Sequence, residues 1–154
     1  MFDSDLKKYN CNGMFNYQSS ESLSAKCNAP TDQSGIYLIY KIVKGQEILI
    51  YIGSSGQKRK DGTLKVRGGG MKDRLVNGYH PNRFGQVKRI PRRRAFPQQM
   101  LKENIAELTI YWWVTYDNNN ADFPTVVEKK LTDKYFDKFG KLPDWHQQTN
   151  KEKN

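Results

Sequence analysis

The chain has 154 residues, 36% of them hydrophobic, and includes nine Tyr, seven Phe and three Trp. This length fits a single domain, and the aromatic content suffices for a packed core, which excludes a wholly disordered chain. No apolar run approaches the about 18 residues of a membrane span, and the first ten residues lack the apolar centre of a signal peptide. We therefore expect a cytoplasmic protein that does not act on a membrane.

The net charge of +10 is concentrated in one segment of the chain. From Lys58 to Arg94 there are thirteen Lys and Arg but only two Asp, so the rest of the chain is close to neutral. A surface that is basic in one segment only is typical of proteins that bind a polyanion. Because Gly and Pro interrupt the segment and no amphipathic helical period is present, nucleic acid is a better candidate than a membrane surface. A solvated charge run is the alternative, although such runs usually mix both signs.

The first half of the chain predicts an arm, a hairpin and an insertion. Residues 1–31 are polar with scattered aromatic side chains, and we expect an N-terminal arm that packs loosely or docks on the core. From Gly35 the residues alternate with a strand period, a turn follows at 43–47, and the return strand ends at Ile52, which predicts a β-hairpin. The segment 54–70 is rich in Gly and Lys, so it predicts a mobile loop or a small ribbon.

Helices predominate in the second half. A short helix is predicted to end at Gly78, and an irregular basic segment bounded by Pro81 and Pro97 leads to a second short helix. A strand rich in β-branched and aromatic residues follows at 107–117. The last helix has Pro near its start and is closed by Gly140.

These elements predict one α+β domain over residues 32–146, with a small three-stranded antiparallel sheet flanked by helices. The basic insertion 54–70 lies inside this domain. A polar tail, 147–154, follows it.

Two tyrosines are candidate catalytic residues if the partner is a phosphodiester backbone. Tyr37 and Tyr51 lie on the paired strands of the hairpin, so their phenols converge if they face the same side of the sheet. A phenol has a pKa near 10 and is a poor base at neutral pH unless cations lower that pKa, as Lys58, Lys60 and Lys65 could. Ordinary packing of sheet aromatics is the alternative.

An arginine and a glutamate complete the candidate set. The guanidinium of Arg74 suits the charged oxygens of a phosphorane-like transition state. Glu128 lies in the first part of the last helix, where one carboxylate could hold a hard divalent ion that keeps several waters. A solvated glutamate near a helix start is the alternative for Glu128.

Together these residues resemble the GIY-YIG nuclease superfamily, and in particular its restriction-endonuclease-like members. Gly35-Ile36-Tyr37 is followed, after thirteen residues, by Tyr51-Ile52-Gly53, and then by helices that carry Arg74 and Glu128. The resemblance spans residues 35–146. It implies an endonuclease that uses one Mg²⁺ ion, for which Mn²⁺ can substitute, and cuts double-stranded DNA to leave 5′-phosphate and 3′-hydroxyl ends.

The resemblance also implies roles for single residues. Tyr37 or Tyr51 would act as, or through, the general base, without a separate assignment of the two. Arg74 would steady the scissile phosphate, Glu128 would bind the metal, and His80 would serve as an auxiliary acid or base. The expected DNA contacts are Lys58, Arg59, Lys60, Lys65, Arg67, Arg92, Arg93 and Arg94.

The chain departs from the family pattern at two places. Arg74 lies twenty-one residues beyond Gly53, about twice the distance in compact members, so the insertion 54–70 is expected to hold DNA specificity and Arg67 competes with Arg74 for the catalytic role. Near the end, His146 stands where many members have a supporting Asn. His146 or Asn150 would supply the missing hydrogen bond.

Four functions remain open at this stage. A sequence-specific, restriction-like endonuclease is favoured, and a homodimer would match a palindromic duplex. The alternatives are a structure-specific nuclease of repair or mobile elements, a catalytically silent DNA- or RNA-binding module, and a small basic translation-associated or structural protein. In each case we expect Gly35 and Gly53 to let a substrate approach the backbone closely.

Overall fold

The structure is a computed structural model that describes residues 1–79 and 90–146. His80, Asn150 and the predicted tail 147–154 lie outside the described residues. In chain order the elements are α1 (Asp3–Leu6), β1 (Asn12–Tyr17), α2 (Leu23–Lys26), β2 (Ser34–Val43), β3 (Gln46–Ser55), β4 (Gln57–Lys58), β5 (Leu64–Lys65), α3 (Gly70–Asn77), α4 (Arg92–Glu103), β6 (Leu108–Tyr116) and α5 (Pro124–Phe139).

The main sheet is antiparallel and has four strands in the order β1-β6-β2-β3, so the α+β class is confirmed but the prediction of three strands is wrong. The additional strand, β1, comes from the segment expected to form an arm. In β1, Phe15 and Tyr17 alternate with polar residues and are buried. Gly13 lies so close to the ring of Trp112 that a Cβ atom would come within 2.6 Å of it. Residues 1–31 therefore contribute to the sheet and to the core.

The predicted hairpin is confirmed as β2 and β3, which turn at Lys44 and Gly45. Near its middle the pairing contains a β-bulge, because Ile39 pairs with Tyr51 but the next residue, Tyr40, pairs with Leu49. A bulge bends its strand and changes the direction of neighbouring side chains. This bulge lies immediately before Tyr51.

Each face of the sheet packs against its own helices. Tyr37 and Ile39 point to a core that includes residues of α2, α3 and α4 and the fully buried Trp145. Ile36 and Leu38, which alternate with them, point to a second core that includes residues of α1 and α5. Helices α3 and α5 therefore lie on opposite faces of the sheet.

The helix α4 begins earlier than the sequence predicted. Residues 92–97 were expected to be irregular, but the helix starts at Arg92 and contains Pro97. The missing amide of Pro97 removes one helical hydrogen bond. Burial of Ala95, Phe96 and Met100 on one face of the helix offsets that loss.

The C-terminal segment covers the free edge of β3. The backbone amide of Trp145 donates to the carbonyl of Ile50 at the bulge (2.9 Å), and the indole of Trp145 donates to Glu103 (2.9 Å). An uncovered edge strand exposes unpaired backbone groups, so this segment satisfies part of that edge. In residues 1–79 and 90–146, no helix combines the length and the apolar character needed to cross a membrane.

Candidate functional site

A cavity of about 460 Å³ lies at the end of β3, where the two helical layers meet. Arg74 reaches it from α3 and Glu128 from α5, although these residues are far apart in sequence and their helices cover opposite faces of the sheet. Lys65 and Arg67 line the same cavity. The structure therefore brings a carboxylate and three cations from the predicted set to one opening.

Serine hydroxyls accompany Glu128 in the cavity. Ser54 and Ser55, the last residues of β3, both line it, and Ser55 is buried. Burial raises the pKa of the Glu128 carboxyl above its ordinary value, while Ser54, Arg74 and Arg92 oppose that rise. A desolvated carboxylate beside hydroxyl oxygens gains from a nearby cation.

This donor set fits a single Mg²⁺ ion. Magnesium prefers oxygen ligands, retains several waters and is often held by one or two carboxylates together with substrate phosphates. Within the described part of the chain no three His, Cys, Asp or Glu residues cluster as a complete metal cage. Glu128 would therefore be the carboxylate ligand, with Ser54 beside it.

The two motif tyrosines converge, as expected if both face one side of the sheet. Their ring centroids are 6.2 Å apart and the planes are inclined by 24°. Tyr37 is completely buried and Tyr51 is half-buried. Neither tyrosine lines the cavity that contains Arg74 and Glu128, so the phenols lie beside that opening rather than in its wall.

The pKa of Tyr51 is raised to about 12, chiefly by burial and also by Tyr37 and Glu128, whereas Arg92 and Arg74 lower it. The expectation that nearby lysines depress this pKa is therefore wrong. The Lys58 ammonium lies 5.1 Å from the ring centroid of Phe123, and Lys60 is exposed on the ribbon. In the free protein the Tyr51 phenol is protonated at neutral pH.

Arg92 lies between the tyrosines and α3. Its side chain is completely buried, and its guanidinium is 5.4 Å from the ring centroids of both Tyr37 and Tyr51. One nitrogen, Nη2, donates to the Tyr51 hydroxyl (3.3 Å), and Nη1 donates to the carbonyl of Arg74 (2.7 Å). Burial disfavours the cation, but the two phenols outweigh this effect and the pKa of Arg92 is raised.

This placement corrects the expectation that Arg92 contacts DNA, because a fully buried side chain presents no donor to a phosphate. Sequence reasoning grouped Arg92 with Arg93 and Arg94, which are exposed. We call Tyr37, Tyr51 and Arg92 the tyrosine–arginine cluster.

The two motif glycines are packing positions. At Gly53 a Cβ atom would lie 2.4 Å from the Tyr37 ring, and at Gly35 it would lie 1.8 Å from the carbonyl oxygen of Trp113. The expectation that these glycines leave room for a substrate is therefore wrong. Gly53 lets the Tyr37 phenol lie flat on β3, and Gly35 lets β2 approach β6.

His146 contacts the site through a hydrogen bond and through a ring contact. The Nε2 atom accepts a hydrogen bond from the backbone amide of Ile52 (3.0 Å), and the ring centroid is 4.7 Å from that of Tyr51. An accepting Nε2 is unprotonated, so the ring proton of a neutral imidazole lies on Nδ1. His146 thus hydrogen-bonds to the backbone of β3 and packs against Tyr51.

The predicted insertion contains a short two-stranded ribbon, β4 and β5, which with its turn spans 57–65 and is called the basic ribbon here. Arg59 is used within it, donating to the carbonyl of Leu64 (3.0 Å), while Asp61 accepts from Thr63 and helps to form the turn. Lys60 and Lys65 are exposed.

Arg67 follows the basic ribbon and is half-buried. Its Nε atom forms an ion pair with Asp73 (2.8 Å). This ion pair holds Arg67 at the cavity wall beside the start of α3.

In comparisons with protein-family models, with curated proteins and with solved structures, no match to this chain was found. The resemblance to GIY-YIG nucleases therefore depends on the motif residues of the sequence.

Proposed function

We propose that the chain is a Mg²⁺-dependent DNA endonuclease of the GIY-YIG type, which hydrolyses phosphodiester bonds in duplex DNA. The observation that carries this proposal is the convergence of Arg74 and Glu128 on one cavity beside the paired motif tyrosines. A module that only binds DNA gains nothing from a desolvated carboxylate among cations, because that carboxylate repels phosphate.

In this mechanism Arg74 binds the scissile phosphate and stabilises the negative charge that develops on its oxygens. Lys65 and Arg67, at the same cavity wall, contact the neighbouring backbone. Tyr51 is protonated at neutral pH and acts as a hydrogen-bond donor at the reaction centre. The Mg²⁺ ion, held by Glu128, would neutralise the phosphate and help the 3′-oxygen to leave.

The basic ribbon supports duplex DNA as the substrate class. Its cations are exposed and carry no aromatic side chains between them, which suits contacts to a duplex backbone rather than stacking on single-stranded bases. A restriction-like, sequence-specific enzyme is the form we favour. Two copies acting as a homodimer would reach the two equivalent phosphates of a palindromic site.

Plasmid cleavage tests the proposal. The purified chain is incubated with supercoiled plasmid and Mg²⁺, beside an EDTA control and a Glu128→Ala variant. Discrete bands that disappear in both controls would support a sequence-specific nuclease, and a smear that disappears in both would support a nonspecific or structure-selective one. If the protein binds duplex DNA in a salt-sensitive way but never cuts it, the proposal fails and the silent binding module replaces it.

A further inference from the structure

The guanidinium of Arg92 connects three elements that carry the proposed site. Its Nη1 atom donates to the carbonyl of Arg74 in α3, and its Nη2 atom donates to the hydroxyl of Tyr51 in β3. The backbone amide of Arg92 also donates to the carbonyl of Gly78 (2.9 Å), immediately after α3. One side chain at the start of α4 thereby links the proposed phosphate-binding arginine to the proposed catalytic phenol.

The hydrogen bond between Arg92 and Tyr51 fixes the direction of the phenol proton. Arginine has only N–H donors and stays charged, so it cannot accept a hydrogen bond from a phenol. The oxygen of Tyr51 must therefore be the acceptor. A phenol has one proton, and with Arg92 donating to its oxygen, that proton must point away from the guanidinium.

We infer that Arg92 is a positioning residue: its guanidinium makes the Tyr51 oxygen a hydrogen-bond acceptor, directs the phenol's own proton away from Arg92, and ties Tyr51 to the backbone of Arg74. Tyr51 is half-buried, so part of this residue remains accessible. The planar fork of an arginine can serve the carbonyl and the phenol together, which a single ammonium group does less well.

The consequence for cleavage rests on the proposed function. With its proton directed away from Arg92, Tyr51 donates a hydrogen bond to a phosphate oxygen held by Arg74, and no proton leaves the phenol in that contact. Because Arg92 is buried, it acts on the rate of the reaction through Tyr51 and Arg74 and contributes nothing directly to DNA affinity.

The first test needs neither DNA nor a substitution at Arg92. Tyrosine Raman bands depend on whether the phenol oxygen accepts a hydrogen bond or only donates one, and the difference spectrum between wild type and Tyr51→Phe isolates Tyr51. We expect an acceptor signature at neutral pH. A donor-only signature would overturn the inference, whether or not the protein cuts DNA.

Variants at Arg92 supply the second test. In a folded Arg92→Met protein the acceptor signature of Tyr51 should disappear, whereas Arg94→Met, at an exposed position of the same helix, should leave it unchanged. A folded Arg92→Met protein with an unaltered Tyr51 signature would contradict the inference. Should Arg92→Met fail to fold, the Raman comparison of wild type with Tyr51→Phe still tests whether the Tyr51 oxygen is an acceptor.

Kinetics separate positioning from DNA contact. For Arg92→Lys we expect kcat to fall roughly 10-fold to 100-fold, because the geometry of Tyr51 and Arg74 loosens, while KM for DNA stays the same. A higher KM, together with a weaker salt dependence of binding, would show that Arg92 contacts DNA and would overturn the inference. A failure of the proposed function would instead appear as no cleavage by the wild type, with the Raman result intact.

Discussion

The basic ribbon and the tyrosine–arginine cluster both contain cations from the same basic segment, but the two regions hold them in opposite ways. The ribbon lysines are exposed, so their charges cost little to maintain and are available to a polyanion. Arg92 is completely buried, where removing water from an ion is expensive unless hydrogen bonds compensate for it. Cations from one segment of the sequence are thus exposed in one region and buried in the other.

The largest effect is expected at the cavity between these regions. Arg74→Gln should reduce DNA cleavage by about 10²-fold to 10³-fold, because a donor to the developing phosphate charge is lost. Arg67→Gln should reduce it by less than about 10-fold, because Arg67 is already paired with Asp73 and lies on the side of the cavity near the basic ribbon.

Single-turnover cleavage rates for the two variants, each at saturating protein, measure this difference. If Arg67→Gln reduces cleavage more than Arg74→Gln does, Arg67 rather than Arg74 is the catalytic arginine.

The second prediction concerns packing in the tyrosine–arginine cluster. Gly53→Ala should lower the free energy of unfolding by about 2–3 kcal/mol, because its methyl group would overlap the Tyr37 phenol. Gly68→Ala is the matched control, since open space surrounds Gly68 and its change should remain within about 0.5 kcal/mol. Denaturant unfolding of both variants measures the difference, and equal stabilities would mean that the cluster is loosely packed.

Much of the fold follows from local sequence signals. The hairpin, the strand β6 and the helix α5 were predicted because alternation, β-branched residues and Pro and Gly at helix ends are strong and local. The strand β1 was missed because Phe15 and Tyr17 alone carry its period. Its pairing with β6 is a long-range contact that local composition does not show.

The position of Arg92 did leave a signal in the sequence. Arg92, Ala95, Phe96, Gln99 and Met100 are all buried, at the spacing of one helical face. A helix that starts before Pro97 places Arg92 on this buried stripe.

The β-bulge before Tyr51 left no comparable signal. No Gly marks it, and Trp145, whose backbone amide donates to the Ile50 carbonyl at the bulge, lies far away in the chain. The site could therefore be predicted as a set of residues, but the relation of the phenols to the cavity depends on tertiary contacts.

The third prediction concerns the half-buried carboxylate of Glu128 in the cavity wall. Because the folded-state pKa of Glu128 is raised above its ordinary value of 4.5, the folded protein binds this proton more tightly than the unfolded chain does. The free energy of unfolding should therefore decrease as pH rises above about 4.5, the ordinary pKa of the carboxyl in the unfolded chain. Glu128→Gln should remove that decrease, and it should be more stable than wild type at pH 7 but not at pH 4.

Thermal unfolding of wild type and Glu128→Gln across this pH range, without Mg²⁺, provides the measurement. Parallel stability curves would show that Glu128 is solvated, as in the ordinary helix-start reading, and would weaken its assignment as a metal ligand.

The fourth prediction tests whether the ribbon cations are free to bind a polyanion. Lys65→Gln should reduce the slope of log affinity against log salt by about 0.9, the value for one lost contact with a duplex phosphate. Lys44→Gln serves as control because it lies in the turn at the opposite end of the β2–β3 hairpin. Fluorescence anisotropy of a labelled duplex over a salt series gives both slopes, and identical slopes would remove Lys65 from the DNA interface.

The smallest effect is expected at Lys58, which is exposed on the basic ribbon but contacts an aromatic ring. Its ammonium lies 5.1 Å from the ring centroid of Phe123, just before α5, so it connects the basic ribbon to the helix that carries Glu128. A double-mutant cycle with Lys58→Gln and Phe123→Leu should give a coupling energy of about 0.5–1 kcal/mol, as expected for an exposed cation–π contact. A coupling near zero would mean that Lys58 is as free as Lys65 and that the ribbon moves independently of α5. A coupling in the expected range would mean that the ribbon is held against α5, so that DNA bound by its lysines has a defined position relative to Glu128.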